Sequence, residues 1–197
     1  MGRKSKNKPL RKEIRIYCEG KTEKIYFDLL KQKYRLPNIK VKTKGELGQS
    51  VELVNHVLRS LNKMSANEKK KIEKILVVFD KDDDSWESIE KAYALAKQNN
   101  IGICFSNECF ELWLLAHFEK IQKEKRWTRK LLYLKLTQIL EVRSYEDEKA
   151  NKTIIQRIFT NIDAVDSNCE YFTDDFKKMN YCDMKKTIAE IFESNFQ

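Results

Sequence analysis

The sequence predicts an α/β fold: a mainly parallel sheet with helices on both faces, followed by a helical C-terminal extension. Three observations carry this. Period-two segments and helical-period segments alternate along the first 120 residues, the pattern of consecutive βα units. One extended segment, residues 75–79 (ILVVF), is apolar throughout, as a strand covered on both faces must be. Crossovers between parallel strands are right-handed, which places helices on both sides of the sheet.

Residues 13–18 (EIRIYC) alternate apolar and charged side chains and read as a strand. Thr22 can cap a helix reaching about Tyr34, with Ile25, Tyr26, Leu29 and Leu30 on one face. The step Leu36-Pro37-Asn38 ends it. Residues 39–43 (IKVKT) alternate again, Gly45 and Gly48 mark a loop, and Ser50 can cap a helix carrying Val51, Val54, Leu58 and Leu61. The charged stretch 67–73 (NEKKKIE) reads as solvated surface. After the apolar strand, Asp84 and Glu87 have capping-box spacing for a helix through about Gln98. Its inner face is Ile89, Ala92, Tyr93 and Ala96. Residues 101–105 (IGICF) form a short strand and 110–118 (FELWLLAHF) a strongly apolar helix. From 121 onward only helical patterns are legible: 128–141, 152–162 and 183–195. The chain thus divides into a basic tail (1–12), an α/β core (13–120) and a helical extension (121–197).

A length of 197 residues with 41% hydrophobic side chains supports a packed core and excludes global disorder. No apolar run approaches the roughly 20 residues that span a bilayer, and no signal-type stretch follows the charged N-terminus. Lys6 stands where a myristoylation motif needs Ser or Thr. A soluble, cytoplasmic protein with no membrane contact is expected. Five cysteines without a CxxC pair argue against a disulfide framework and a zinc ribbon; Cys18, Cys104 and Cys109 read as buried apolar fillers. His117, within LLAHF, reads as a packing histidine.

The net charge of +9 is patchy. Residues 1–12 carry six bases and no acid; residues 119–135 carry seven bases against Glu119 and Glu124. Such patches attract polyanions by counterion release, or form a solvated tail and helix face. Trp127, among these bases, reads either as a stacking surface for a nucleobase or as a partly buried anchor.

Several motifs fail. Glu19-Gly20-Lys21-Thr22 contains the tail of a Walker A loop, but Arg15 stands at the required first glycine. Asp80, Asp82 and Asp84 match the first ligand positions of an EF-hand, but Ser85 and Lys91 replace the required Gly and Glu. Residues 78–82 (VFDKD) begin like a haloacid-dehalogenase-type phosphatase, but Asp83-Asp84 follow and a βαβα segment precedes. A small-phosphate hydrolase is therefore a distant reading. What remains is a carboxylate cluster for a divalent metal. Asp80 and Asp82 lie two apart at a strand end, so their side chains can face one way. Glu19 ends another strand, and ligands of such folds gather beyond the carboxyl ends. Oxygen-only ligands suit Mg²⁺ or Mn²⁺. The competing reading is an acid-rich helix N-terminus favoured by the dipole, which describes Asp83 and Asp84.

The strand ending in Glu19-Gly20-x-Thr22-Glu23, paired with a later Asp80-x-Asp82, resembles a Toprim domain. The segments IYCEGKTEKIYFDLL, VVFDKDDD and SNECFELWLLAHFE, in that order, are similar to the RloB-like (AbiLii-type) proteins of bacteria over roughly residues 10–120. One departure is Glu108, which follows Asn107 where that family usually has Pro. Pro would fix φ at a helix start, whereas Glu favours the helix dipole.

The resemblance implies a Toprim-like (Rossmann-like) core and a metal-dependent nuclease acting on RNA, tRNA included, or on DNA. It makes Glu19 a metal ligand or general acid/base, and Asp80 and Asp82 metal ligands. Glu23 becomes an outer ligand, and Glu111 a ligand of a second metal or a structural brace. Lys21, Lys81, Lys123, Lys125, Arg126, Arg129 and Lys130 would then contact the nucleic-acid backbone; Lys21 and Lys81 also read as solvated side chains. The resemblance also implies an anti-phage abortive-infection effector, held or triggered by an ABC-type ATPase. From another class comes a non-catalytic module that keeps the acids and binds a nucleic acid or the ATPase.

Overall fold

In the computed structural model, which describes residues 12–43, 50–122, 124–170 and 172–194, the βα alternation is realised. The first half runs β1 (Glu13–Cys18), α1 (Lys21–Lys33), β2 (Ile39–Thr43), α2 (Ser50–Asn62), a short α3 (Ala66–Lys70), β3 (Ile72–Asp80), α4 (Trp86–Gln98), β4 (Gly102–Asn107) and α5 (Glu111–Leu115). The second half adds α6 (Arg129–Leu140), α7 (Tyr145–Glu148), α8 (Lys152–Phe159), a 3₁₀ turn (Ile162–Ala164), α9 (Val165–Asn168), β5 (Tyr181–Cys182), α10 (Met184–Ile188) and a π-helical end (Ala189–Glu193).

The sheet order is β2-β1-β3-β4-β5. β1 to β4 are parallel and β5 is antiparallel to β4. The chain leaves β1 towards one edge and returns to β3 on its other side. The crevice at the carboxyl ends of β1 and β3 is therefore the topological switch point, where ligands of open α/β sheets bind.

The sheet buries both faces. On one, Ile14, Ile16 and Cys18 of β1 pack with Tyr26 and Leu30 of α1, Leu132 and Leu136 of α6, and Phe192. On the other, Tyr17, Val77, Phe79 and Phe105 meet Leu53 and Val57 of α2 and Ile89, Ala92 and Ala96 of α4. Successive β1 residues thus serve opposite cores, as a strand's period of two requires. Segment 75–79 is buried throughout, matching its unbroken apolar run.

Several local expectations are corrected. Stretch 67–73 is not merely solvated: Ser65 and Glu68 form a reciprocal capping box for α3, and β3 begins at Ile72. Gly20, with no side-chain bond, is the N-cap of α1; the Thr22 hydroxyl instead donates to the Lys149 carbonyl (2.9 Å). The Ser50 hydroxyl, at the first residue of α2, bonds to the Asp84 carboxylate and the Ser88 hydroxyl, and the position before it lies outside the described residues. α4 is capped by Ser85, whose hydroxyl accepts the Ser88 N–H. The extension is not wholly helical, because Tyr181–Cys182 pairs with Ser106 and Asn107 as a fifth strand. Trp127 is buried and serves as an anchor, not as an exposed stacking face. All five cysteines are free and buried, as expected for apolar fillers. Among the described residues no helix is long and apolar enough to cross a membrane.

Candidate functional site

The two strands that carry the predicted acids are neighbours. Cys18 of β1 is in register with Val78 of β3, and the Glu19 N–H donates to the Val78 carbonyl (2.9 Å). Glu19 thus leaves β1 beside the last residues of β3. Asp80 closes β3 and is buried. Its Oδ2 accepts the Phe110 N–H (2.9 Å), which ties β3 to the entry of α5. Its Oδ1 is buried without a hydrogen-bond partner among the described residues.

Beyond Asp80 the chain turns. Lys81 N–H donates to the Ser106 carbonyl (2.9 Å) and Asp82 N–H to the Glu108 carbonyl (3.0 Å). Asp82 adopts φ 39°, a left-handed conformation that Asp tolerates better than most residues. Strand alternation therefore stops at Asp80 and does not govern Asp82. The Asp82 carboxylate pairs with Arg129 (Oδ1–Nη2 2.8 Å).

Glu23 enters from the first turn of α1 and is buried. Its Oε2 also lacks a hydrogen-bond partner among the described residues. Gly20 makes room for it, since a Cβ there would collide with the Glu23 carboxylate. Glu111, the first residue of α5, is buried and accepts the Tyr145 hydroxyl (3.3 Å).

These acids are close enough to perturb one another. Burial, then the charges of Glu111, Glu19 and Asp82, push Glu23 up to about 8. Burial, then Glu23, Asp82 and Glu111, push Asp80 well above the ordinary carboxylate range. Burial also raises Glu111 and Asp82. Arg129 and Lys149 oppose the rise at Asp82, and Lys149 opposes it at Glu111. Like-charged carboxylates in a dry crevice are costly unless a cation compensates them.

The donor set fits a hard divalent cation: all oxygen, with two buried carboxylate oxygens left without partners. Yet among the described residues no group of three or more His, Cys, Asp or Glu side chains is placed to hold a metal ion. The acids are gathered, but Asp82 is engaged elsewhere.

The predicted nucleic-acid contacts are scattered in their surroundings. Lys21 is exposed at the start of α1, beside Glu19 and Gly20. Lys81 donates to the Asp84 and Asp82 carbonyls and lies over the Trp86 ring (5.3 Å). Lys125 sits on the buried Trp127 ring (3.7 Å). Arg126 and Lys130 are exposed, and Arg129 is held by Asp82 and Asp83. Lys123, and residues 1–11 of the basic tail, lie outside the described residues.

Two site residues carried no sequence signal. Lys149, next after α7, donates to the Tyr133 hydroxyl (3.1 Å) and lends positive charge to Asp82 and Glu111. Tyr145 braces Glu111. Glu108 was expected to favour the dipole of the helix just after it. Its carboxylate instead accepts the Arg129 N–H (2.8 Å) at the start of α6.

Comparison with known proteins bears on the whole of this arrangement. The family model described as RloB-like protein matches residues 14–191. This chain belongs to the RloB-like family. No curated protein and no solved structure matches it. The RloB-like match reaches well past the 10–120 span of the recognisable motifs. It takes in Arg129, Tyr145 and Lys149, so the second half of this RloB-like chain is part of the family unit.

Proposed function

We propose that this RloB-like protein is a divalent-metal-dependent nuclease whose centre lies at the carboxyl ends of β1 and β3. One observation carries the reading. Glu23, Asp80 and Glu111 are buried together at the switch point, with carboxylate oxygens of Glu23 and Asp80 lacking hydrogen-bond partners among the described residues. Unrelieved burial of acids is unfavourable, and a hard cation relieves it.

Glu23, Asp80 and Glu111 would hold Mg²⁺ or Mn²⁺, with Asp82 and Glu19 at the solvent side of the crevice. When bound, such an ion polarises a phosphoryl oxygen and lowers the pKa of water. Glu19, half-exposed at the end of β1, would accept or return a proton at the crevice mouth. Lys149 would face the charge that develops on phosphate, a role for a preorganised cation. Lys21, Arg126 and Lys130, exposed on the described surface, would contact the backbone of an RNA or DNA.

The resemblance stated above supports the wider setting: a cytoplasmic anti-phage effector working with an ABC-type ATPase. One observation favours the alternative of a non-catalytic binding module, namely that Asp82 already has a cationic partner in Arg129. A single experiment separates the two. A panel of tRNA, single-stranded RNA, plasmid and single-stranded DNA is incubated with wild type and Asp80→Asn in Mg²⁺, Mn²⁺ or EDTA, with and without the ATPase. Cutting that needs metal and disappears in Asp80→Asn is expected. Binding without metal-dependent cutting, even with the ATPase present, would favour the module.

A further inference from the structure

Arg129 was expected to contact a nucleic-acid backbone. In the structure its guanidinium is turned inward. Nη2 lies 2.8 Å from Asp82 Oδ1 and Nη1 lies 3.4 Å from Asp83 Oδ2. Its own backbone N–H is held by Glu108 (2.8 Å), so the residue is anchored at the main chain and free to move only at the side chain. The two aspartates differ: the Asp82 side chain is 33% exposed, whereas that of Asp83 is 86% exposed. An open groove of about 550 Å³, lined by Thr128, Lys130, Tyr133 and Glu146, runs beside the pair.

We propose that Arg129 is an internal counter-cation that occupies Asp82 and must yield it before a divalent ion is fully ligated. The inference rests on the metal-centre reading above and adds to it a residue that sets the affinity for the ion. A guanidinium and a divalent ion compete for the same carboxylate oxygen. Asp82 is held by a direct ion pair, while Glu23 and Asp80 retain buried oxygens without hydrogen bonds among the described residues. When Arg129 lets go, Asp83 and the groove receive its side chain, so only part of its pairing is lost. The exchange is between two partly exposed partners, whose pairing is weakened by solvent screening. Such a pair is weak enough for an ion to displace and strong enough to lower its affinity.

The test is direct Mn²⁺ binding by titration calorimetry, with no cleavage assay involved. The proteins are wild type, Arg129→Gln, Arg129→Lys, Lys130→Gln and Asp80→Asn. The main-chain bond to Glu108 survives every change at position 129, so folding is preserved, and a melting curve checks it. Arg129→Gln is expected to bind Mn²⁺ about tenfold more tightly than wild type, with Arg129→Lys in between. Lys130→Gln removes the same charge one residue away and should change affinity less than twofold. An equal gain in Lys130→Gln would overturn the proposal, because general electrostatics would then explain the effect. Unchanged or weaker binding in Arg129→Gln, with binding lost in Asp80→Asn, overturns the role of Arg129 and leaves the metal centre standing. No Mn²⁺ binding by wild type or Arg129→Gln overturns both.

Discussion

Glu23 is under electrostatic tension. It is buried, Gly20 opens space for its carboxylate, and Glu111, Glu19 and Asp82 add like charge. Its folded-state pKa of about 8 lies above the ordinary value of 4.5. Stability from this group is therefore full below about pH 4.5 and lost as pH rises through 8. Glu23→Gln should raise the stability of the metal-free protein at pH 8 by about 4 kcal/mol, seen as a higher Tm, and should weaken stabilisation by Mn²⁺. Melting curves in EDTA and in Mn²⁺ check both; a lower Tm in EDTA would contradict the account. His117 behaves oppositely. The Trp113 carbonyl can only accept, so Nδ1 carries the proton and Nε2 accepts the Tyr26 hydroxyl (3.1 and 3.0 Å). Burial lowers its pKa from 6.5 to about 4. Between those values the unfolded chain takes up the proton first, so stability present at pH 7 is lost as pH falls towards 4. The stability advantage of wild type over His117→Gln should shrink by about 3 kcal/mol across that window. Denaturant titrations at pH 7 and 4 measure it, and parallel profiles would contradict it.

Among the elements, α6 joins the two halves of the chain. Thr128 caps it, Glu108 takes its first N–H, and Leu132 and Leu136 enter the core built by β1 and α1. Trp127, just before it, is buried with Lys125 across its ring. Trp127→Ala should cost about 3–5 kcal/mol and loosen the residues that α6 brings to the site. Thermal unfolding with hydrogen exchange at Arg129 and Tyr133 would register both; full protection retained at Arg129 would contradict the link. Legibility divides along the same line. β1 to β4, α1, α2 and α4 were readable because each spans enough residues to show its period. β5 has two residues and borrows its definition from β4, so no period could reveal it. The N-cap of α4 was misplaced by one residue, because Asp84 and Ser85 are both good caps and only packing against Ser50 decides between them.

For the molecule as a whole, the topology explains why Glu19 and Asp80 could be singled out early. Acids that follow strands sit at one end of a parallel sheet whatever the strand order. The order decides which of them meet, and here β1 and β3 are adjacent. Glu111 and Glu23 were legible only through their motifs. Lys149 and Tyr145 were not legible at all, since each reaches the crevice by tertiary contact from segments without a recognisable pattern. Asp82 was readable as a residue but not in its orientation, because φ 39° and the bond to Arg129 are set by the turn and by α6. The central claim is that the crevice between β1 and β3 is a metal centre. It is tested most directly by crystals grown with Mn²⁺ and measured for anomalous scattering. A peak bounded by Glu23, Asp80 and Glu111, with Asp82 turned from Arg129 towards it, is the predicted result. An ordered crevice with no peak at saturating Mn²⁺, and Arg129 still on Asp82, would contradict the account.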